Sequence, residues 1–297
     1  AIVLEVFDPV RSLQAIQQHR VNIIGQIPAM FNYQWRTAGY DSYDLSSLEL
    51  AIYGGQQVPR QFLEKLSAMA PRIATGLGLT ESAGFCTYTP PGASVEDLLS
   101  SLGQDMPLYP MSVRGAMRQD GMAGGQLADG EIGHVCFQGP QTFLGYVGEP
   151  EATARAVSRD GVLYTGDMGF RDAAGLHFAG RAKWIIKPAG HQVFPADVEN
   201  HFCGLESKVA GCAVVGVEHP LLTEAILAFV EKKPGVELTS AELRSHAKGI
   251  ASYMRPLHYV ILEPGAMPLN RAAKSDYLRL SEMARIEAGR LGWAAGV

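Results

Sequence analysis

The segment with the clearest chemical potential is residues 74–85, ATGLGLTESAGF, in which a strand runs into a glycine-rich turn that carries Thr80 and Glu81. Such a turn brings backbone N–H groups, a hydroxyl and a carboxylate together at the carboxyl end of a sheet, where α/β folds bind nucleotides. The segment therefore predicts a site for a phosphate and its metal ion. A glycine turn in which Thr80 and Glu81 merely cap the next element explains the pattern equally well.

A second segment, residues 160–172, reads DGVLYTGDMGFRD and predicts a strand that ends in a tight turn at Gly166. The turn projects Asp167, and a carboxylate held in this way can accept hydrogen bonds from both hydroxyls of a ribose. A hairpin turn is nevertheless the commoner use of a Gly-Asp pair. Taken alone, the segment favours the plain turn.

Cations are concentrated in a third segment, residues 180–199, GRAKWIIKPAGHQVFPADVE. Arg181 stands at a turn, Lys183 and Lys187 lie along an apolar stretch, and Gly190 adds backbone freedom. Clustered cations followed by a glycine suit contact with an anion and movement of the backbone. Lysines that protect a solvated strand edge would produce the same pattern.

The fourth segment, residues 267–274, reads MPLNRAAK and places Lys274 just before the terminal helix. An amine at this position could reach a carboxylate or a phosphate as a point charge. A solvated surface lysine is the commoner outcome, because lysine is mostly exposed in proteins.

Alternating helix and strand patterns surround the first segment. Asp8 and Pro9 supply an N-cap and a first helical residue, and Val10, Leu13 and Ile16 follow at roughly helical spacing. Apolar runs bounded by proline or glycine predict strands over residues 2–7, 21–27 and 48–53 and a helix over residues 30–36. This alternation indicates βαβ units and a mostly parallel sheet.

The texture of the chain then changes twice. Short strand patterns punctuated by glycine, from about residue 111 to residue 178, predict a small β-rich subdomain. A compact α+β module follows, with its boundary near residues 181–184. Helices are predicted over Pro195–Cys203, over 239–251 and from 274 onwards, and strands over 209–217, 225–231 and 257–262. The predicted fold class is therefore α/β and α+β, a mostly parallel sheet layer with a β-rich subdomain and then a compact C-terminal module.

Composition limits the compartment and the partners. The 297 residues suffice for about two domains, and the net charge of −5 is spread along the chain without a basic stripe, which argues against nucleic acid as a partner. No apolar run approaches the roughly 20 residues that a membrane-spanning helix needs, and no signal segment opens the chain. The cysteines form no CxxC or CxxH pattern, so free thiols in a cytoplasmic protein are expected.

The order and spacing of the motifs ATGLGLTE, LYTGD, GRAKWIIKPAGHQVFPADVE and PLNRAAK resemble the adenylate-forming, AMP-binding superfamily. This superfamily contains acyl-CoA synthetases, peptide-synthetase adenylation domains and luciferases. The resemblance extends to FDPVRSLQAIQQHRV, IPAMF, LSSLELAIYGG and GEIGHVCFQGP, and the type it implies is an acyl- or aryl-CoA synthetase. Residues 1–182 then correspond to the latter part of the large adenylate-binding domain, and residues 183–297 to its mobile C-terminal lid.

The resemblance assigns three catalytic residues, Lys274, Thr80 and Glu81. It implies that Lys274 pairs with the carboxylate and phosphate oxygens during adenylation, that Thr80 contacts the α-phosphate, and that Glu81 helps to hold Mg²⁺. Asp167 corresponds to the aspartate that binds the ribose hydroxyls, and Arg181 to the arginine that joins it there.

The remaining nucleotide and coenzyme contacts come from the same resemblance. Lys183 corresponds to the hinge about which the lid rotates between adenylation and thioester formation, and Gly190 to the loop that lines the pantetheine tunnel. The segment from Gly54 to Gln56 corresponds to the strip of chain along the adenine. The complete predicted cofactor-binding set is Gly54, Gly55, Gln56, Leu77, Asp167, Arg181, Lys187 and Gly190.

The sequence departs from the family pattern at three places. Leu77 stands where a tyrosine usually stacks on the adenine, and Ala273 replaces the usual glycine before the catalytic lysine. The phosphate-gripping loop rich in serine, threonine and glycine, which family members place well upstream of the FDP motif, has no counterpart in this sequence. We therefore expect the chain to begin after that loop and to be the later portion of a larger enzyme.

The implied reaction uses ATP and Mg²⁺ to activate a carboxylic acid and then transfers the acyl group to coenzyme A. The predicted acyl pocket holds no carboxylate to meet an amino group, so an apolar aromatic or medium-chain acid is expected. The pocket residues are Phe31, Tyr53, Gly76, Gly84 and Phe85.

Two alternatives stay open. An amino-acid adenylation domain would share the first half-reaction, and it would carry an acidic residue in the pocket and a carrier domain downstream. The other alternative is a fragment or one piece of a split enzyme that binds nucleotide without catalysis of its own. A homodimer is compatible with either alternative.

Overall fold

The computed structural model describes residues 1–270 and 274–293. By packing, the chain divides into two compact units, Ala1–Phe178 and Ala179–Val297. The predicted domain limits, 1–182 and 183–297, stay a prediction, and Ala273 lies outside the described residues. No helix in the described part of the chain is both long enough and apolar enough to cross a membrane.

The first unit opens with a parallel sheet in the order β1-β2-β3. Asp8 accepts a hydrogen bond from the N–H of Arg11 at 2.7 Å and starts helix α1, which buries Leu13 and Ile16 as the spacing predicts. Val10, by contrast, is 38% exposed. The elements are α1 Pro9–His19, β1 Ile23–Gln26, α2 Pro28–Trp35, β2 Leu50–Tyr53, α3 Arg60–Met69 and β3 Arg72–Ala74.

A hairpin and short paired strands link this layer to a β-rich sheet in the order β11-β10-β9-β8. The fold class predicted from the sequence is confirmed in both parts of this unit. The elements are β4 Gly78–Leu79, β5 Gly84–Phe85, β6 Thr87–Tyr88, α4 Val95–Ser100, β7 Gln104–Asp105, β8 Met111–Arg114, β9 Gly133–Phe137, α5 Pro150–Ala156, β10 Leu163–Asp172 and β11 Gly175–Arg181.

The second unit is built around a sheet in the order β12-β13-β14. Side chains of β13 alternate between two clusters, as a strand with both faces covered requires. Ile226 and Ala228 pack beneath α6 and α7, whereas Leu227 and Phe229 pack beneath α8. The elements are α6 Pro195–Cys203, β12 Val209–His219, β13 Thr223–Lys232, α7 Ser240–His246, β14 His258–Leu262 and α8 Tyr277–Arg290.

Two sequence predictions differ from the structure. Residues 2–7 form no strand and Val3 is 87% exposed, because the three-stranded sheet offers these residues no pairing partner. The terminal helix begins at Tyr277 rather than Lys274, since Asp276 caps it by accepting a hydrogen bond from the N–H of Arg279. Lys274 therefore lies in the loop that precedes α8.

The cap of α7 gives a stability prediction for the second unit. Thr239 accepts a hydrogen bond from the N–H of Glu242, and the Glu242 carboxylate accepts from the N–H and hydroxyl of Thr239. We expect Thr239→Ala to lower the free energy of unfolding by about 1 kcal/mol in urea titrations, because the N–H of Glu242 loses its acceptor and the Glu242 carboxylate loses the hydroxyl that donates to it. Glu237→Ala, an exposed position two residues upstream, is the control and should change it by less than about 0.5 kcal/mol. Equal losses in both variants would contradict the capping argument.

Candidate functional site

The Thr80–Glu81 turn is the tip of a tight hairpin. β4 and β5 pair antiparallel, with Gly78 opposite Phe85, and a single 3₁₀ turn over Thr80–Ser82 joins them. Ser82 is fully buried, and its hydroxyl lies 2.8 Å from the carbonyl oxygen of Gly84 and 2.9 Å from the sulfur of Cys86. The hydroxyl thus donates to the carbonyl and accepts from the thiol, which fixes the turn and leaves Thr80 exposed at its tip.

Glu81 is held by the loop that follows β9. The Tyr146 hydroxyl donates a hydrogen bond to Oε1 of Glu81 at 2.6 Å, and the N–H of Phe143 donates to the carbonyl oxygen of Glu81 at 2.8 Å. The rings of Phe143 and Tyr146 pack edge to face with their centroids 4.9 Å apart. The carboxylate of Glu81 is therefore oriented by a partner 65 residues away in sequence.

This arrangement fits a Mg²⁺ ion of the kind that accompanies a nucleotide. Within the described residues, only Oε1 of Glu81 accepts a hydrogen bond, so Oε2 keeps its lone pairs. A carboxylate oxygen is a ligand that Mg²⁺ prefers, and the ion usually keeps several waters and takes substrate phosphate oxygens. Glu81 is the residue that would hold it.

Two of the predicted pocket residues, Gly76 and Phe85, meet the predicted adenine contact Gly54 at the carboxyl ends of β2 and β3. A Cβ on Gly54 would lie 2.8 Å from the ring of Phe85, and one on Gly76 would lie 3.0 Å from the same ring. A Cβ on Gly76 would also lie only 1.9 Å from the carbonyl oxygen of Thr87. The hairpin therefore lies directly on bare backbone, and the Phe85 ring covers both glycines.

The other three pocket candidates, Phe31, Tyr53 and Gly84, lie apart from this contact. Phe31 and Tyr53 are 0% and 3% exposed, and their rings pack against Phe62 with centroid distances of 6.1 and 5.8 Å. Gly84 is exposed in the hairpin, with open space where a Cβ would be. Phe31 and Tyr53 form part of the buried core, and their role in an acyl pocket stays a prediction.

The predicted adenine contacts follow β2 and precede the hairpin. Gly55 and Gln56 are exposed, and Gly55 has a φ of +92°, a value that favours glycine. Leu77 is half-buried against the cluster of Cys86 and Tyr109. Its N–H donates to the hydroxyl of Thr87 at 2.9 Å, which fixes the chain between β3 and the hairpin.

Asp167 lies in a bulge of β10, where the pairing with β9 shifts register between Tyr164 and Met168. Its N–H donates to the hydroxyl of Thr165 at 3.1 Å, and that hydroxyl donates to the carbonyl oxygen of Val135 at 2.8 Å. Asp167 is 2% exposed, so its carboxylate is almost completely covered. A ribose could reach it only after the covering groups move.

Asp167 and the hairpin are close enough to influence each other. Burial raises the pKa of the Cys86 thiol, the hydrogen bond to Ser82 lowers it, and the negative charge of Asp167 raises it further. Cys86 is 0% exposed and stays in the thiol form at neutral pH. The structure thus brings the ribose candidate Asp167 to the base of the hairpin that carries the phosphate candidates.

The second unit carries the remaining cations. Arg181 is exposed at the end of β11, and Lys183 places its ammonium 4.7 Å from the ring centroid of Trp184, a cation–π contact. Lys187 is exposed, and its N–H donates to Glu224 at 2.5 Å. These three cations are spread along the segment and form no common cluster.

Gly190 closes a turn over Pro188–Gly190. A cavity of about 240 Å³ lies beside this turn, lined in part by Ala189, His191 and Leu222. The rings of His191 and Tyr253, which also line it, stack on each other with centroids 4.4 Å apart. Gly190 thus lies between two residues that line a small cavity. Its place in a ligand-lining loop stays a prediction.

Lys274 is half-buried in the loop before α8. Its N–H donates to Oδ1 of Asn270 at 3.2 Å, and the N–H of Asn270 donates to the carbonyl oxygen of Lys274 at 2.8 Å. The backbone is closed on itself at the base of this loop. Lys274 therefore projects from a point that its neighbours fix.

The sequence analysis missed Tyr146 and Ser82 as supports of the turn. Tyr146 belongs to the GY pair that follows GEIGHVCFQGP, which contributed to the resemblance without an assigned role. A buried serine inside the turn carries no spacing signal of its own. Only the folded structure links Tyr146 to Glu81 and Ser82 to Cys86.

Two family models match the chain. Residues 2–147 match the model of the family described as AMP-binding enzyme, and residues 197–274 match the AMP-binding enzyme C-terminal domain. The two matches together cover well over half of the chain and include the hairpin, Tyr146 and Lys274. The chain belongs to the adenylate-forming, AMP-binding enzyme family.

Individual relatives match the chain over most of its length. The chain is 30% identical over 281 residues to a 3-[(3aS,4S,7aS)-7a-methyl-1,5-dioxo-octahydro-1H-inden-4-yl]propanoyl:CoA ligase of Mycobacterium tuberculosis, covering 93% of the chain and 52% of that protein. It is 34% identical over 254 residues to a feruloyl-CoA synthase of Amycolatopsis sp, covering 82% and 48%. The amide bond synthetase McbA from Marinactinospora thermotolerans superposes with a TM-score of 0.81 at 28% identity, covering 95% of this chain and 56% of that one. The chain thus spans about half the length of these relatives.

The close contact at Gly76 predicts an intolerant position. We expect Gly76→Ala to lower the free energy of unfolding by about 1–3 kcal/mol in urea titrations, because a methyl group would overlap the Thr87 carbonyl and displace the hairpin. Gly25→Ala is the matched control, since Gly25 also lies in the sheet layer and a Cβ there meets nothing within 4 Å. Similar results for the two variants would contradict the packing argument.

The contact between Tyr146 and Glu81 predicts a titration shift. The hydrogen bond to Glu81 is the main cause that raises the pKa of Tyr146 to about 12, because the phenolate would face a carboxylate. We expect Glu81→Gln to lower this pKa towards the ordinary value in ultraviolet absorbance titrations. The Tyr146→Phe variant identifies the signal among the other tyrosines. An unchanged Tyr146 transition in Glu81→Gln would mean that the hydrogen bond does not form.

Proposed function

We propose that the chain carries the adenylate-handling part of an ATP-dependent ligase that joins a carboxylic acid to coenzyme A. The observation that carries this proposal is the hairpin tip, where an exposed hydroxyl and a carboxylate aimed by Tyr146 stand beside the carboxyl ends of a parallel sheet. Membership of the AMP-binding family supports the interpretation of this hairpin tip as a nucleotide-phosphate site.

The first half-reaction forms an acyl-adenylate. A carboxylate oxygen of the acid attacks the α-phosphorus of ATP, the bond from that phosphorus to the bridging oxygen breaks, and pyrophosphate leaves. The hydroxyl of Thr80 donates a hydrogen bond to an oxygen of the α-phosphate. The ammonium of Lys274 lies beside the oxygens that gain negative charge and stabilises them. Mg²⁺, held by Glu81, would neutralise part of the phosphate charge.

Nucleotide positioning falls to the residues around the hairpin. Asp167 binds the ribose once its carboxylate is uncovered, and Arg181 supports it there. The adenine lies along the backbone of the segment from Gly54 to Gln56. Since Leu77 replaces an aromatic ring, apolar packing takes the place of ring stacking on the base.

The second half-reaction transfers the acyl group to a thiol. The sulfur of coenzyme A attacks the acyl carbon, the bond to the phosphate oxygen breaks, and AMP leaves. This step requires the second unit to turn about Lys183 so that Gly190 and its loop approach the adenylate. Lys187 supplies an exposed cation on the same segment.

An apolar acid suits the residues at the pocket. Phe85 covers Gly54 and Gly76, and none of the five pocket candidates carries a charge. An aromatic or medium-chain acid would bury its apolar body against such a surface, whereas the ammonium of an amino acid would find no carboxylate there. The predicted cytoplasmic location and homodimer stay predictions.

The decisive experiment measures pyrophosphate release from ATP by this chain with benzoates and medium-chain acids. We expect acid-dependent release, and Lys274→Ala should reduce it about 100- to 1,000-fold because a charge that stabilises the transition state is lost. Lys248→Ala, an exposed lysine of the same unit, should leave the rate unchanged. Undiminished release by Lys274→Ala would overturn the assignment of that lysine.

The acceptor is tested in the same assay by adding coenzyme A or an amine to the preformed acyl-adenylate. Faster AMP release with coenzyme A, together with a thioester product, supports the ligase. If an amide forms with the amine and no thioester forms with coenzyme A, the acceptor is an amine. The proposed adenylation step would then still hold. Binding of an acyl-AMP analogue without any pyrophosphate release would leave the chain as a nucleotide-binding part only.

A further inference from the structure

Glu199, a half-buried carboxyl group in the second unit, has no place in the reaction described above. Glu199 lies on α6, and its Oε1 accepts a hydrogen bond from the N–H of Val214 at 2.8 Å and from the hydroxyl of Tyr277 at 2.5 Å. Val214 belongs to β12, which is the edge strand of its sheet, and Tyr277 is the first residue of α8. A single oxygen atom therefore joins α6, β12 and α8.

This contact links two layers on opposite faces of one sheet. The α6 residues Val198 and Phe202 belong to the cluster on one face, whereas Tyr277 packs with the cluster on the other face. The Glu199 carboxylate reaches Tyr277 around the edge of β12. Helices on the two faces are thus tied to each other by a hydrogen bond as well as by packing.

The same tyrosine contacts the predicted hinge. Its ring stacks on the indole of Trp184, with centroids 5.3 Å apart and an interplanar angle of 28°. The ammonium of Lys183 lies over the same indole, 4.7 Å from the ring centroid. The contacts from Lys183 through Trp184 and Tyr277 to Glu199 connect the hinge turn to the sheet.

Tyr277 also lies three residues after Lys274 in the chain. The loop between them is anchored, because the N–H of Asp276 donates to the carbonyl oxygen of Pro268 at 2.8 Å. Asn270 and Lys274 also exchange hydrogen bonds, which hold the backbone of Lys274 beside that of Asn270. A displacement of Tyr277 would therefore carry the backbone of Lys274 with it.

The environment of Glu199 argues for a specific role. Among the described residues no cation pairs with Glu199, and the ionisable groups around it are Tyr277, Cys203 and Cys212. Burial raises the pKa of the Glu199 carboxyl to about 7, while its two hydrogen bonds lower it. Taking a carboxyl group partly out of water without a counter-charge costs stability, so stability alone does not explain Glu199 at this position.

We propose that Glu199 and Tyr277 are positioning residues, which hold the hinge turn at Lys183–Trp184 and the Lys274 loop on one sheet so that both move as a single body. This inference rests on the proposed adenylation function. The second unit then fixes the position of Lys274 relative to the hinge at Lys183. A displacement of about 1 Å in a catalytic group can cost a hundredfold in rate, which is why such a tie matters.

Tyr277→Phe is the variant that tests the tie, because it removes the hydroxyl and keeps the ring on Trp184. We expect the kcat of acid-dependent pyrophosphate release to fall about 10- to 100-fold, with the KM for ATP within about twofold. Tyr259→Phe is the matched control, since Tyr259 is buried in the same unit and its hydroxyl has no hydrogen-bond partner. A control that loses kcat equally, or a Tyr277→Phe enzyme with unchanged kcat, would overturn the proposal.

A second measurement keeps the proposal testable if the chain proves inactive. The sequence contains three tryptophans, so the indole N–H signals are few enough to assign by nuclear magnetic resonance with Trp184→Phe. We expect Glu199→Gln and Tyr277→Phe both to shift the Trp184 signal and to leave those of Trp35 and Trp293 in place. An unmoved Trp184 signal would show that Glu199 does not act on the hinge turn, whatever the activity of the chain.

Discussion

The close approach of the hairpin to the backbone of Gly76 is the constraint on which the candidate site depends. A Cβ there would sit 1.9 Å from a carbonyl oxygen, so only bare backbone lets the hairpin lie on the sheet. This contact fixes the position of the Thr80–Glu81 tip, which belongs to the same hairpin. The loop that carries Tyr146 can then reach the tip and aim Glu81. Thr80 and Glu81 thus depend on a position where a side chain is missing.

Local signals in the sequence predicted much of the fold, because caps and periodic burial act within a few residues. Asp8 and Pro9 start α1, and Leu13 and Ile16 supply its buried face. The prediction failed for residues 2–7, whose β-branched composition suits a strand that the sheet of this unit does not pair. Helix α3 was not predicted, although its buried residues also recur at helical spacing. Strand pairing depends on distant segments, and composition alone does not reveal it.

The candidate site divides in the same way. The motif around Thr80 and Glu81 was recognisable because its residues are contiguous, and the pocket candidates Gly76 and Phe85 do lie in contact. The partners of these groups were not recognisable, since their contacts join positions far apart in sequence. Tyr146 and Glu81 are separated by 65 residues, and Tyr277 and Glu199 by 78. The burial of Asp167 within a register shift was likewise invisible in a Gly-Asp pair.

The hydrogen bond from Val214 to Glu199 also bears on solubility. Strand β12 has 11 residues and forms an open edge of its sheet, and such an edge is a template for pairing with another chain. Glu199 occupies one of the N–H groups in the middle of that edge and places a carboxyl group beside it. An incoming strand would have to displace this side chain before it could form a continuous ladder. The tie between the helices therefore also guards the edge against intermolecular β-pairing.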